Sequence, residues 1–186
     1  MTFSESKPGR PIVKKKVMHR PTAVFLLLAL GLGVLLSACG DKDDTKAIYE
    51  MIQNGTSLAE EKQVGDLMDL TVPEFVAQPG GRDRRQAKGV LFAAFMRYGN
   101  FKIHYPRPQV DILSDGDSAN ATVHFLIVRQ DQSIPGLKEL YDDPRKWIDT
   151  ASEKADLYQL KLALVKKGGD WLVGKAELEG FKGTGF

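Results

Sequence analysis

The sequence predicts an α+β fold, in which helices near the N-terminus pack against an antiparallel sheet. Helical spacing of apolar residues is confined to residues 47–98, and strand-like alternation fills most of the chain after residue 100. The turn signals Asp115-Gly116 and Gly168-Gly169-Asp170 join strands as hairpins. Helices followed by an antiparallel meander belong to the α+β class. A chain of 186 residues, 42% of them hydrophobic, is long enough to bury a core in one domain.

The helical half of the chain contains four predicted helices. Apolar residues recur at helical spacing over residues 47–59, and a second, short helix covers residues 64–68. Residues 71–74 have the form of a capping box with proline in the first turn, so we expect a brief third helix there. Asp83 caps the strongest helix. Its apolar residues form one continuous stripe: Ala87, Val90, Leu91, Ala94, Phe95 and Tyr98.

The strand half contains four predicted strands and one insertion. The first strand, residues 101–113, is interrupted by Pro106-Arg107-Pro108, which requires a sheet edge or a bulge because proline cannot donate a ladder hydrogen bond. The other three strands cover residues 118–130, 155–167 and 171–178. Residues 131–154 form an insertion, with a short helix that Asp143 caps and Pro144 begins.

The hairpin signals predict the register of two strand pairs. A two-residue Asp-Gly turn pairs Ile112 with Ala119, and a three-residue Gly-Gly-Asp loop pairs Leu164 with Gly174. These registers put one set of apolar side chains on the concave face of the sheet, and none of them can carry a proton. The set is Ala121, Val123, Phe125, Ile127, Leu160, Leu162 and Leu164.

The N-terminal segment is typical of a secretion signal. Residues 23–36 form an uncharged apolar run that is shorter than the roughly 20 residues of a bilayer span but suits the core of a signal peptide. The four residues that end at Cys39, Leu-Ser-Ala-Cys, resemble the lipobox of bacterial lipoproteins, in which the cysteine is lipidated and becomes the first residue. The resemblance implies a signal peptide over residues 1–38, a lipidated tether over 39–45 and a domain over 46–186.

The lipobox resemblance also implies a location and a membrane partner. Two or more acyl chains on Cys39 would hold the protein stably on a membrane, whereas one chain holds it only marginally. Gly40 follows the cysteine where an aspartate often marks inner-membrane retention, which favours the periplasmic face of the outer membrane in a Gram-negative source. The alternative is an uncleaved signal anchor with a free cysteine, and Met18 is an alternative start to Met1.

Composition excludes several classes of protein. A single cysteine leaves no internal disulfide, zinc ribbon or CxxC redox centre. Residues 1–38 hold six basic residues and one acid, so the net charge of +2 becomes −3 for the rest, and we expect no nucleic-acid partner. His104 and His124 lack partners at metal-ligand spacing, and His124 has outer-face parity, typical of a surface or dimer contact. We expect no metal, and without a phosphate-binding glycine loop we expect no cofactor.

The order of the elements resembles the nuclear-transport-factor-2-like superfamily, which includes ketosteroid isomerase and SnoaL-like branches. The resemblance rests on the helix pair of residues 48–75, the helix of 84–98, the strand opening Gly116-Asp117-Ser118-Ala119 and the closing hairpin of 162–173. It implies a cone-shaped fold, in which N-terminal helices are packed in a curved antiparallel sheet that encloses a pocket. It also implies a homodimer through the sheet, because many members pair that way.

Four residues are the candidate ligand-binding residues. Arg129 ends one strand while Asp156 and Tyr158 begin its neighbour with inward parity, so we expect the three to meet under the insertion of residues 131–154. His104 pairs near the same end if the proline interruption preserves the register. One interpretation is a polar pocket mouth under a lid, which binds an anionic or amphiphilic ligand. The other is a plain Arg129–Asp156 ion pair at a sheet edge.

Two functions from different classes remain. The favoured one is a non-catalytic lipoprotein of the cell envelope, whose pocket binds a small apolar or amphiphilic ligand or an envelope protein. Its support is the signal at Cys39 and a concave face without a proton-transferring group. The alternative is a small isomerase or hydro-lyase of the ketosteroid isomerase or SnoaL-like type, with Asp156 or Tyr158 in proton transfer.

Overall fold

A computed structural model describes residues 40–129, 134–152 and 157–181, all of them within one compact unit, Cys39–Phe186. The signal-peptide prediction for residues 1–38, the lipidation of Cys39 and the role given to Asp156 therefore fall outside the described residues. The helices are α1 (Gly40–Glu60), α2 (Val64–Asp69), α3 (Arg84–Tyr98) and α4 (Pro144–Ser152), with a 3₁₀ turn at Lys138–Leu140. The strands are β1 (Thr71–Gln78), β2 (Arg82–Asp83), β3 (Phe101–His104), β4 (Gln109–Ile112), β5 (Ser118–Arg129), β6 (Leu157–Lys167) and β7 (Asp170–Phe181).

The seven strands form one mixed sheet in the order β2-β1-β7-β6-β5-β3, with β4 also paired to β5. The expectation of a wholly antiparallel sheet is wrong, because β1 runs parallel to β7. The expected helix at residues 71–74 is also wrong, because these residues belong to strand β1. The buried side chains of Val72 and Phe75 hold this segment in the sheet, and the β1–β7 register is interrupted between Thr71 and Val76, so Pro73 need not donate there.

The first helix is already formed at Gly40, so residues 41–45, expected to be a tether, belong to its first turns. Acidic residues at positions 43 and 44 suit the positive end of the helix dipole. The Asp44 carboxylate also accepts hydrogen bonds from Lys166 Nζ at 2.5 Å and Trp171 Nε1 at 3.1 Å, and thereby attaches α1 to the β6–β7 hairpin.

Helix α3 begins where the sequence predicts. The Asp83 side chain accepts from the Gln86 backbone N–H at 2.8 Å, and the Gln86 side chain accepts from the Asp83 N–H, which completes a capping box. The predicted apolar stripe is only partly buried: Ala87 and Phe95 are in the core, whereas Val90 and Tyr98 are exposed. The helix packs against α2, β1 and β2 along one narrow side, which is too little to cover the whole stripe.

The first predicted strand register is confirmed, whereas the three-residue loop of the last hairpin and its Leu164–Gly174 pair are wrong. Ile112 pairs with Ala119 across the Asp-Gly turn. In the last hairpin Leu162 pairs with Ala176, as the three-residue loop requires, but Leu164 pairs with Val173. A two-residue turn closes this hairpin, and a bulge opposite Ala163 and Leu164 absorbs the extra residue.

The two faces of the sheet carry separate hydrophobic clusters. The concave face packs against α1, α2 and α3 and includes Ala119, Ala121 and Val123 of β5. The convex face is covered by the described part of the insertion, residues 134–152, in a second cluster: Leu126, Val128, Leu137, Trp147, Ile148, Ala151 and Leu157. We expected the insertion to form a lid over the pocket mouth, but its described part packs on the convex face, because the apolar side chains of Leu126 and Val128 are buried against it.

Candidate ligand-binding cavity

A cavity of about 450 Å³ lies between the helices and the concave face of the sheet. The sheet side of its wall is formed by Phe75, Ile103, Val123, Phe125, Leu160 and Leu162. The helix side is formed by Met51, Ile52, Leu67, Met68, Leu91 and Phe95. The cavity reaches the surface at Tyr98 and Leu178, which line it and yet expose 46% and 45% of their surface.

Small side chains leave this space empty. Gly55 and Ala59 of α1, Ala94 of α3 and Ala176 of β7 stand in the wall, where larger residues would fill the void. Protein interiors otherwise contain few voids larger than a water molecule, because unfilled space forfeits dispersion contacts. An apolar cavity of this volume falls within the range of about 300 to 1,000 Å³ that is typical of small-molecule sites.

Hydroxyl groups are the polar side-chain groups of the cavity wall. They belong to Thr56, Thr71, Tyr98, Tyr105 and Tyr158, and no carboxylate, imidazole or amine of a described residue lines the wall. The Thr71 hydroxyl donates to the Met68 carbonyl at 2.7 Å and accepts from Arg84 Nε at 3.1 Å, so it already acts as both a donor and an acceptor within the protein.

Thr56 and Tyr105 form a polar position within the otherwise apolar wall. The Thr56 hydroxyl donates to the Ile52 carbonyl at 2.9 Å, and it lies close enough to the Tyr105 hydroxyl to affect the pKa of that phenol. Burial raises the pKa of the Tyr105 phenol above its ordinary value, so the phenol stays neutral and keeps its proton at physiological pH. A ligand that approaches this position meets two neutral hydroxyl groups.

Of the predicted site residues that the structure describes, one lies in the cavity wall. Tyr158 lines the cavity, with its ring stacked on Phe125 at 5.5 Å between centroids. Arg129 pairs with Phe101 at the exposed end of β5 and is not part of the wall. His104 pairs with Leu126, on the convex side. Whether Arg129, His104 or Asp156 contacts a ligand stays a prediction.

The parity of β3 explains the position of His104. Phe101, Ile103 and Tyr105 all line the cavity, so the intervening His104 belongs to the other face of the sheet. Burial lowers its pKa, which favours the neutral imidazole. Tyr105 and Thr56 were missed as site residues, although the alternation of 101, 103 and 105 and the i, i+4 spacing of Ile52 and Thr56 carried the signal.

His124 differs from its predicted position at the surface. It lies on the convex face as its parity requires, but it is only 4% exposed. Its Nε2 lies 2.7 Å from the Gln159 amide, and burial lowers the pKa of the imidazole. Within the described residues, no three His, Asp, Glu or Cys side chains are grouped as metal ligands. No helix in the same residues is both long and apolar enough to cross a bilayer.

Solved structures share this fold at low sequence identity. A protein of Novosphingobium aromaticivorans, provisionally named a scytalone dehydratase, superposes with a TM-score of 0.57 at 17% identity, over 76% of this chain and 87% of its own. A Nostoc punctiforme protein of unknown function with a cystatin-like fold gives 0.56 at 11%, over 74% and 91%. A second N. aromaticivorans protein, nuclear-transport-factor-2-like, gives 0.53 at 16%, over 84% and 90%.

No protein-family model and no curated protein matches the sequence. The structural likeness establishes the fold and not the activity, because identities below about one-fifth leave function open. The chain has the cystatin-like, nuclear-transport-factor-2-like α+β fold, with helices packed against a curved mixed sheet of seven strands.

Proposed function

We propose that this domain is a non-catalytic binding module for a small apolar or amphiphilic ligand, held at a cell-envelope membrane by lipid on Cys39. The observation that carries the binding role is the cavity of about 450 Å³ whose wall is apolar apart from five hydroxyl side chains. Proton transfer needs a group that titrates near the working pH. The described wall offers only hydroxyls, and the pKa of the Tyr105 phenol is raised.

The cavity wall indicates the chemistry of the ligand. An apolar body would gain from burial against Phe75, Phe95 and Leu162, and one neutral hydroxyl, carbonyl or ester would bond at Thr56 and Tyr105. An ionised group would lose its hydration without a counter-charge in the described wall, which disfavours free carboxylates and amines. We therefore propose a neutral lipid-like molecule as the ligand.

The ligand chemistry can be tested by calorimetric titration of the full chain with a medium-chain fatty alcohol and the fatty acid of the same length. We expect the alcohol to bind more tightly at neutral pH, because the acid is ionised. Tyr105→Phe should weaken the alcohol by about fivefold to tenfold, the effect of one hydrogen bond. An apolar probe such as N-phenyl-1-naphthylamine, which needs no such bond, serves as the control and should bind both proteins equally.

Three results, two from this titration and one from an activity assay, would contradict the proposal. Tighter binding of the fatty acid would require a cationic group that the described wall does not contain. Turnover of a hydroxylated aromatic substrate by the purified chain, lost in Tyr158→Phe, would instead favour the hydro-lyase alternative. A folded chain that binds neither amphiphile nor probe would leave the envelope protein as the partner.

The membrane anchor is a separate part of the proposal and has its own test. It is supported by the Leu-Ser-Ala-Cys signal, and α1 is helical from Gly40, so the folded domain would stand directly at the membrane surface. Cells that express the chain should incorporate labelled palmitate, and Cys39→Ser should abolish the label and release the domain from the membrane fraction. A palmitate-free chain with Cys39 intact would contradict the anchor without affecting the binding role.

A further inference from the structure

Helix α3 concentrates exposed apolar side chains. Among the described residues seven large hydrophobic side chains are exposed, and four of them lie on α3: Val90, Phe92, Met96 and Tyr98. Phe92 and Met96 are the most exposed, at 60% and 66%. Single exposed hydrophobic residues are ordinary, but a cluster on one element marks an interaction surface.

Cations stand beside the apolar pair on the same helix face. Arg85, Lys88, Phe92 and Met96 follow one another at spacings of three and four residues, so they form one exposed stripe along α3. The four residues of this stripe, the outer face of α3, are all exposed, whereas Ala87 and Phe95 of the same helix are buried in the core. Two positive charges therefore precede two large apolar side chains along a single surface.

The charge of α3 contrasts with that of the domain. The helix carries Arg84, Arg85, Lys88 and Arg97 and no acidic residue, whereas the chain after residue 38 has a net charge of −3. Arg84 is bonded to Asp69 and to the Met68 carbonyl. Arg85, Lys88 and Arg97 make no ion pair with a described residue.

We propose that the outer face of α3 docks on an anionic lipid surface. Phe92 and Met96 would enter the boundary between headgroups and acyl chains, while Arg85 and Lys88 would pair with lipid phosphates. A second copy of the chain suits this face poorly, because an antiparallel twofold contact would place Arg85 and Lys88 against the apolar Phe92 and Met96 of the other copy, with no acidic partner on the helix. The proposal depends neither on the ligand of the cavity nor on lipid at Cys39.

Docking in this way would bring the cavity close to the membrane. The same helix supplies Leu91, Ala94 and Phe95 to the cavity wall. A bilayer against Phe92 and Met96 would thus lie within about one helix diameter, roughly 10 Å, of the cavity. The same contact would place the surface-exposed cavity residue Tyr98 beside the lipid.

The test is a local reporter on the full chain. In a Cys39→Ser background, which removes the single native cysteine, Met96→Cys carries an environment-sensitive nitrobenzoxadiazole label. Leu113→Cys, also an exposed apolar position but outside α3, carries the same label as the matched control. Each protein is mixed with vesicles of phosphatidylcholine alone or with added phosphatidylglycerol. Emission and quenching by brominated acyl chains are then recorded.

We expect label 96 to shift to the blue and to be quenched on anionic vesicles only, while label 113 stays in water. Adding Arg85→Glu and Lys88→Glu should reduce the inserted population at position 96 by about tenfold. If label 96 stays in water on anionic vesicles to which the chain is bound, the proposal is wrong. Label 96 buried without vesicles, in a dimer seen by light scattering, would assign the face to a second copy and overturn the proposal.

Exposed positions make these variants suitable for the test. Position 96 is two-thirds exposed, so the label should leave the thermal unfolding of the chain unchanged. If the Met96→Cys chain fails to fold, Phe92→Cys provides the same reading one helical turn earlier. An acidic soluble protein that buries label 96 in the absence of lipid would also contradict the proposal.

Discussion

Both faces of the sheet are apolar, but the convex face packs against the insertion whereas the concave face lines a cavity. On the convex face Leu126, Trp147 and Ile148 are each at most 1% exposed and belong to one buried cluster. On the concave face Phe125 and Ile127 of the same strand line an open space of about 450 Å³. The difference shows that β5 packs fully along its convex face, whereas its concave face both contributes to the core and lines a cavity.

Core truncations on the two faces should have the largest and most unequal effects. Trp147→Ala should lower the free energy of unfolding by about 3 to 5 kcal/mol, because it opens a void in a filled cluster. Leu160→Ala should lower it by only about 1 kcal/mol, since Leu160 is half-buried beside existing space. Urea unfolding of the two variants measures both values, and equal losses would contradict the contrast between the faces.

A polar contact of Asp44 joins α1 to the β6–β7 hairpin. Asp44→Asn should cost about 1 to 2 kcal/mol, because the Asp44 carboxylate binds Lys166 and the Nε1 of buried Trp171. Its hydrogen bonds lower the pKa of Asp44, so this stabilisation is present at neutral pH and is lost as the pH falls below about 3.8. Glu50→Gln, which removes the exposed Lys46–Glu50 pair, is the control and should change stability by less than about 0.5 kcal/mol.

Lowering the pH should reduce the stability of the fold, through His124 and His104 on the convex face, before it changes binding in the cavity. Burial lowers the pKa of His124 and of His104. At mildly acidic pH the unfolded chain therefore binds more protons than the folded chain, and the stability falls as the pH drops below 6.5. His124→Gln should make the unfolding free energy less dependent on pH between about 7.5 and 5.5. Probe affinity should stay level over that range, because no described cavity residue titrates there. An affinity that falls in parallel with stability would contradict the separation of the faces.

Much of the fold could be predicted because short-range chemistry determines it. The Asp83 cap, the Asp-Gly hairpin and the alternation along β5 are local signals, and all three are found in the structure. The β1 strand was not predictable from its own residues, since its pairing with β7 joins segments about a hundred residues apart. The side on which the insertion packs also depends on tertiary contacts, although Leu126 and Val128 indicated an uncovered outer face.

The apolar nature of the candidate site could be predicted from the sequence, but the volume of the cavity could not. Registers from two hairpins predicted an apolar concave face along most of β5 and β6, with Tyr158 at its end, and Tyr158 lines the cavity. The volume depends on how far α1 and α3 stand from the sheet. A strand register carries no information on that distance, so the size of the cavity could not be predicted, although the faces of Thr56 and Tyr105 could have been.

The most direct test of the account is a titration of N-phenyl-1-naphthylamine into two neighbouring variants of α3. Ala94 lines the cavity and Ala93 is exposed, so Ala94→Trp fills the cavity whereas Ala93→Trp adds the same side chain to solvent. We expect Ala94→Trp to weaken the probe by about tenfold or more and Ala93→Trp to leave its affinity unchanged. Equal affinity in both folded variants would show that the probe binds elsewhere and would contradict the cavity as the binding site.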